Sequence, residues 1–321
     1  MFVMPWTLRK RGILGMNRRN ISYISRYNER RLFPLVDNKL KTKVLAEAAC
    51  INTPKLIGLV ESQYDVTRLD EILEGINGFA IKPANGSGGK GIMVLKRNAE
   101  GEFVKSSGSV VSLRQLQRHV SNTLAGLHSL GGSPDVALIE DLIEVDTFLS
   151  DYSYEGVPDI RVIVCRGFPV MAMIRLATRA SDGKANLHQG AVGVGLDIAT
   201  GRPLNAVQFG EQVTHHPDSG KNLSELAIPD WQTLLKLAAR CYDISGLGYL
   251  GTDIVLDSKR GPMLLELNAR PGLAIQLANG EGLLHRLRKI DSLSKKELSL
   301  NADQRAALSQ QWFASEKENL L

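Results

Sequence analysis

Apolar and polar residues alternate along this chain with two different periods. Over residues 35–50, Leu40, Val44, Leu45 and Ala48 recur at helical spacing, which predicts a helix with Asp37 at its N-cap. Residues 66–75 repeat the pattern with Leu69, Ile72 and Leu73 on one side. The period then shortens. Residues 79–82 and 92–95 read as strands flanking the glycine-rich turn 85–91, a hairpin with a flexible tip. A helix is predicted over 112–129, and a buried strand over 136–140 that runs into acids. Residues 160–165 and 170–176 form two strands around a turn at Gly167, followed by a polar loop over 181–195. Trp231, Leu234, Leu235, Leu237, Ala238 and Cys241 mark one face of a helix over 230–244. Residues 249–256 and 263–267 are two more strands joined by the turn 257–261. A charged helical tail covers 285–321, where Asn301 and Gln304 have the spacing of a capping box. Short strands in hairpins, interleaved with helices, predict an α+β fold rather than a doubly wound parallel sheet.

Composition narrows the class. With 43% hydrophobic and 23% charged residues the chain is an ordinary globular sequence, and its 321 residues suffice for two or three small domains. No apolar run approaches the roughly 20 residues of a membrane span, so no membrane partner is expected. The N-terminus lacks the architecture of a secretory signal. Cys50, Cys165 and Cys241 show no metal-ligand or disulfide spacing, so three buried thiols in a cytoplasmic protein are expected. The formal charge of +5 is local. Arg9, Lys10, Arg11, Arg18, Arg19, Arg26, Arg30 and Arg31 face only Glu29 within the first 31 residues, and acidic groups slightly outnumber basic ones elsewhere. A nucleic-acid partner is therefore not implied for the body of the protein.

Three places carry candidate chemistry. Counting back from the turn at 257–261 sets Asp253 opposite Glu266 across an antiparallel pair. Glu266 and Asn268, two apart, leave the same strand face. Two carboxylates so close repel unless a cation sits between them, and an all-oxygen set suits magnesium; an exposed acidic sheet face has the same spacing. Lys82 precedes Pro83-Ala84-Asn85-Gly86-Ser87-Gly88-Gly89-Lys90-Gly91, whose glycines let backbone N–H groups approach phosphate oxygens. It is neither a Walker loop nor a dinucleotide fingerprint, because Lys90 is followed by Gly91 and then by a strand; a plain flexible turn fits it as well. Glu140, Asp141 and Glu144 close an apolar strand, where a carboxylate can accept from an exocyclic amine or a ribose hydroxyl, or cap a helix.

Taken in order, these segments resemble the ATP-grasp superfamily, most of all the ribosomal-protein glutamate ligase group. The resemblance covers residues 37–285. It rests on Asp37-Asn38-Lys39-Leu40, Phe79-Ala80-Ile81-Lys82, the loop 86–91, Ile139-Glu140, Asp159-Ile160-Arg161, Asn186-Leu187-His188-Gln189-Gly190, Gly251-Thr252-Asp253 and Leu265-Glu266-Leu267-Asn268-Ala269-Arg270-Pro271-Gly272. It implies two α+β lobes gripping ATP, with a nucleotide lobe over 37–140, a magnesium-bearing lobe over 141–285 and a helical tail over 286–321. It also implies ATP and magnesium as cofactors, with manganese as a substitute. Lys82, with Lys43 or Lys41, and Ser87, Gly88, Gly89 and Lys90 would contact phosphates. Glu140, Asp141 and Leu142 would take the adenine edge, and Glu144 the ribose. Arg161, Arg175, Asn186 and Arg270 would hold the transferred phosphoryl and acyl groups, and Asp253, Glu266 and Asn268 the metal.

The implied activity is carboxylate–amine ligation through an acyl phosphate, joining glutamate, another amino acid or other carboxylate to an amine or peptide. A kinase that stops at phosphoryl transfer and a non-catalytic nucleotide-binding module are the alternatives. The family's N-terminal α/β domain is not matched: about 36 residues precede Asp37, too few for a doubly wound sheet. The basic segment 1–36, with Asn17, Arg18, Arg19, Asn20, Tyr23 and the run 28–31, is expected to line a substrate pocket in its place, and the loop 145–158 to act as a lid. An oligomer is compatible with the sequence.

Overall fold

The computed structural model describes residues 4–86 and 88–315. The chain divides into two compact units. The smaller contains residues 37–44 and 53–143, and the larger contains residues 1–36, 45–52 and 144–321.

In the smaller unit five strands form a sheet: β1 (Leu56–Val60), β2 (Gly78–Pro83), β3 (Met93–Arg97), β4 (Phe103–Val104) and β5 (Ala137–Asp141). Their order is β1-β5-β2-β3-β4, every pairing antiparallel. Phe79, Ile81, Leu95 and Ile139 point to one face, where the helix Leu113–Leu124 packs its Leu116 and Val120. Ser112 caps that helix in a capping box with Gln115. Strand alternation sends Ala80, Lys82, Leu138 and Glu140 to the opposite face.

The larger unit is built on a seven-stranded antiparallel sheet. Its strands are β6 (Asp159–Cys165), β7 (Phe168–Leu176), β8 (Val192–Leu196), β9 (Pro203–Gln208), β10 (Glu211–Gln212), β11 (Tyr249–Asp257) and β12 (Gly261–Asn268), in the order β10-β9-β8-β7-β6-β11-β12. The helix Trp231–Ser245 buries Trp231, Leu234, Leu235, Ala238 and Cys241 in the main core. The tail belongs to this core and is not an appendage. Ala306 and Phe313 are buried there, Trp312 stacks on Phe168 at 5.7 Å, and the Asn301–Gln304 capping box forms.

The N-terminal segment is also structural. Leu14 exchanges both backbone bonds with the Gln276 carboxamide, at 2.8 and 3.1 Å. The Asn28 side chain donates to Tyr249 O at 2.7 Å and accepts from Tyr249 N at 2.8 Å. It thus satisfies the first residue of β11 as a neighbouring strand would. Tyr23 is buried and Tyr27 donates to Asp291 at 2.6 Å. Tyr23 and Asn28, expected to line a pocket, are committed to packing. Likewise Leu149 and Tyr152 anchor the expected lid 145–158 in the core.

Four local expectations change. Asn38, not Asp37, caps the helix Lys39–Ala48, its Oδ1 accepting Lys41 N at 3.0 Å. The loop 181–195 runs into β8, and β1, β9 and β10 are further strands. The helix read over 66–75 is two short pieces, Gln63–Thr67 and Leu69–Ile72. Cys50 is exposed in a left-handed position (φ 53°) just past a helix end, whereas Cys165 and Cys241 are buried. Among the described residues, no helix is long and apolar enough to cross a membrane.

Candidate functional site

The smaller unit gathers two ammonium groups on one buried carboxylate. Lys82 near the end of β2 and Glu140 on β5 share a sheet face, one diagonal step apart. Lys82 Nζ reaches Glu140 Oε2 at 2.7 Å, and Lys43 Nζ reaches Oε1 at 2.8 Å. Lys43 also donates to Thr53 Oγ1 and to the carbonyl of Pro54. All three side chains are nearly closed to solvent. Burial pushes the Glu140 carboxyl up, but Lys82 and Lys43 more than offset this and hold it below its ordinary value of 4.5. Lys41 is exposed, so the structure brings Lys43 and not Lys41 into the cluster. Two cations against one carboxylate leave a surplus positive charge, which an anion can match.

The glycine-rich loop follows directly. Its entry is pinned: Lys39 Nζ donates to Gly86 O at 2.6 Å, and Asn85 donates to Asp135 through both its backbone and side chain. Gly88, Gly89 and Gly91 have φ of 63°, 76° and 75°, a region that favours glycine. A side chain at Gly91 would strike His128. Lys90 is exposed and Ser87 lies outside the described residues. Asp141 and Leu142, after Glu140, are half-buried, and Asp141 N donates to Lys55 O at 2.9 Å. Glu144 falls in the larger unit, where its exposed carboxylate pairs with Lys259 at 2.9 Å.

In the larger unit the sheet register aligns a row of charge. Arg161 on β6 pairs with Asp253 on β11, which pairs with Glu266 on β12. Asp159, two residues before Arg161 and hence on the same face, pairs with Arg175 on β7. The guanidinium of Arg161 forks onto Asp253 at 2.7 and 2.6 Å, and Arg175 forks onto Asp159 and reaches Asp253 at 3.0 Å. Asn268 Nδ2 donates to Asp253 at 3.1 Å. Burial pushes Asp253 up, but the two arginines outweigh it and bring it down to about 2. Arg175 is held charged: burial pulls it down, and Asp159 and Asp253 raise it above its usual value. Asp159 rises because of burial first, with Arg175 pulling against it and the charge of Asp253 adding to it.

Among the described residues no three His, Cys, Asp or Glu side chains gather as a metal cluster. The candidate set is two carboxylates and an amide, Asp253, Glu266 and Asn268, on one face, with Glu266 and Asn268 half-buried. These are hard oxygen donors, and counting Glu266 the row carries one more negative than positive charge, so the residues fit magnesium chemically. Asp253 already accepts four donors, so a metal there displaces at least one of them.

Two expected residues are not brought into this row. Asn186 Oδ1 caps the turn Leu187–Gln189 by accepting His188 N at 3.0 Å. Arg270 is exposed, lies 4.6 Å over the Phe33 ring and makes no ion pair among the described residues. One residue was overlooked. Asp159 sits in the motif Asp159-Ile160-Arg161, and the period-2 spacing of its acid and base was the signal.

Comparison with known proteins gives a family. A family model described as sugar-transfer associated ATP-grasp matches residues 18–292. No curated protein matches the sequence. Among solved structures, the ATP-grasp ligase PsnB complexed with minimal precursor is similar at 14% identity, with a TM-score of 0.44, covering 89% of this chain. The present chain spans 63% of that protein's length. The D-cycloserine synthetase DcsG is similar at 14% identity and a TM-score of 0.48, covering 97% of this chain and 82% of its own. The N5-carboxyaminoimidazole ribonucleotide synthetase PurK, in an ADP complex, is similar at 14% identity and a TM-score of 0.43, covering 75% of this chain and 46% of its own. At these identities and scores the likenesses carry no weight for substrate or mechanism. The family match names the superfamily to which the motifs pointed, with a sugar-transfer rather than a glutamate-ligase description, and spans most of the chain: the protein belongs to the sugar-transfer associated ATP-grasp family.

Proposed function

We propose that the protein is an ATP-dependent ligase that converts a carboxylate to an acyl phosphate and passes the acyl group to an amine, one of the two substrates being a saccharide. The observation that carries this reading is the single sheet face holding Asp253, Glu266, Asn268, Arg161 and Arg175. The saccharide comes from the description of the matching family, whereas glutamate rests on the resemblance alone.

The smaller unit supplies the phosphate grip. Lys82 and Lys43 carry point charges on flexible stems, so they can leave Glu140 for phosphate oxygens without breaking a geometric lock. Glu140 stores them in place, and Gly88, Gly89 and Lys90 offer N–H groups and a further charge. Asp141 and Leu142 would lie along the adenine edge, as the resemblance implies.

The larger unit supplies the transfer face. Asp253, Glu266 and Asn268 would hold magnesium, which when bound neutralises phosphate charge and favours in-line attack. Asn268 would offer its amide oxygen, giving up the bond that its Nδ2 donates to Asp253. The substrate carboxylate attacks the terminal phosphorus of ATP, the bridging P–O bond breaks and ADP leaves. The amine then attacks the acyl carbon, loses a proton to solvent and expels inorganic phosphate. Arg161 and Arg175 bind the anionic carboxylate and stabilise the oxyanion of the tetrahedral intermediate. Asp159 and Asp253 hold Arg175 charged, and Asp159 sets its orientation.

The test is purified protein with Mg-ATP and a matrix of carboxylates and amines that includes uronic acids, amino sugars and amino acids. ADP release that needs both substrates, with a product at their summed mass less one water, is the expected outcome. A phosphorylated product formed without an amine makes the protein a kinase. Nucleotide binding without turnover makes it a binding module.

A further inference from the structure

We infer that the N-terminal segment is an interfacial anchor that lays the protein on an anionic lipid surface. Met4, Trp6 and Leu8 are exposed to 52%, 61% and 40%, large values for apolar chains. Arg9, Lys10 and Arg11 follow immediately, all exposed, and Arg18, also exposed, lies seven residues after Arg11. Among the described residues none of these four cations makes an ion pair. Met16 and Ile21, at 68% and 72%, extend the apolar set. Of the fifteen exposed large hydrophobic residues described, five lie within residues 4–21.

A frayed terminus would show the same exposure without function, but this segment is clamped at its base. Gly12 O accepts Leu284 N at 2.9 Å, His285 Nε2 bonds Lys10 O at 3.1 Å, and Leu14 is held through both backbone groups by Gln276. Gly12 has a φ of 67°, and a side chain there would strike His285, so the close approach needs this glycine. The short helix Pro5–Lys10 is thus presented from a fixed point of the larger unit.

The chemistry selects the partner. A nucleic acid would satisfy the arginines but leave Met4, Leu8, Met16 and Ile21 in water. A second copy of the chain would bring like charges together. A lipid interface takes both kinds of group: apolar chains at the acyl boundary, an indole at the headgroups and cations on lipid phosphates. Nothing spans the bilayer in this arrangement.

The test mixes full-length protein with phosphatidylcholine vesicles, with and without phosphatidylglycerol, in a flotation assay at low and high salt. Tryptophan fluorescence is read in parallel; Trp231 is buried and Trp312 half-buried, so Trp6 is the indole free to change environment. Expected are binding to the anionic vesicles alone, weakening with salt, and a blue shift that Trp6→Phe removes. The pair Trp6→Ala with Leu8→Ala, and the triple Arg9→Ala, Lys10→Ala and Arg11→Ala, should each weaken binding about tenfold. All five side chains are exposed, so an unchanged melting temperature confirms folding. Failure to float with anionic vesicles overturns the inference. So does vesicle binding that the Trp6 and Leu8 changes leave intact, which would mark simple polycation behaviour. Tighter binding to duplex DNA or RNA that displaces the vesicles would reassign the surface to nucleic acid.

Discussion

The two charge clusters solve one problem in different ways. Each buries a carboxylate and places two cations on it. In the smaller unit the cations are Lys43 and Lys82 around Glu140; in the larger they are Arg161 and Arg175 around Asp253, with Asp159 behind. An ammonium group is a compact charge on a rotatable stem, while a guanidinium is a planar fork that fixes direction as well as charge. The lysine cluster is therefore a store from which cations can be drawn, and the arginine cluster is a frame. The charge balance differs in the same sense. The lysine cluster carries a surplus positive charge suited to phosphate, and the arginine row, with Glu266, a surplus negative charge suited to a metal ion.

The comparison breaks most decisively at the metal face. Glu266→Gln removes one carboxylate that is half-buried, so kcat is expected to fall by about a hundredfold to a thousandfold, the scale of losing one group that stabilises transition-state charge. Asp253→Asn removes activity equally and also leaves two guanidinium groups facing a neutral side chain in a buried site, at a cost of about 3–5 kcal/mol. ADP-release kinetics and thermal unfolding of the two variants separate the effects. If Glu266→Gln keeps wild-type turnover, the metal assignment fails.

A milder pair of changes tests frame against store. Asp159→Asn frees Arg175 to rotate and should lower kcat about tenfold or more with little change in the KM for ATP, since orientation is what is lost. Glu140→Gln releases both lysines and should spare kcat, with the KM for ATP unchanged or lower, while costing about 1–3 kcal/mol of stability. Equal kcat losses in both variants would erase the distinction between the clusters.

What the sequence made legible follows from periodicity. The two-residue strand period and the turn at 257–261 were enough to set Asp253 against Glu266, and that register is present. Interleaved hairpins and helices likewise announced an α+β fold with antiparallel sheets. β8 was hidden because Val192-Gly193-Val194-Gly195-Leu196 is buried on both faces, so nothing alternates, and its glycines read as loop. The partners of Glu140 were hidden for a different reason. Its strand shows an acid at its end, but Lys43 arrives from a helix almost a hundred residues earlier, and no local pattern records that meeting. The N-terminal arginines drew attention by density alone, whereas Leu14, Asn28 and Tyr27 hold the segment in place.

Acid should sharpen the lysine cluster further. Glu140 in the folded protein lies below its ordinary 4.5, so folding favours its ionised form. The resulting stability is fully present above pH 4.5 and is lost as pH falls through the folded value, by about 1.4 kcal/mol for each unit of the depression. Denaturant unfolding between about pH 6 and pH 3 should therefore show a steeper loss in the wild type than in Glu140→Gln, whose amide does not titrate. Parallel curves would mean that Glu140 is not held ionised by its lysines.

The smallest effect is expected where the sequence is most charged. Arg18 and Arg30 are exposed and make no ion pair, so Arg18→Ala and Arg30→Ala should change stability by less than about 0.5 kcal/mol and leave the KM of both soluble substrates unchanged. Asn28→Ala, a neutral change in the same segment, should cost about 1–3 kcal/mol, because the N–H and C=O of Tyr249 at the head of β11 then lose their partner in a buried position. The contrast follows from the same physics as the two clusters: charge in water contributes little, and a polar group out of water is worth whatever satisfies it. A raised KM in Arg18→Ala with unchanged folding would return the basic segment to the substrate pocket that its charge first suggested.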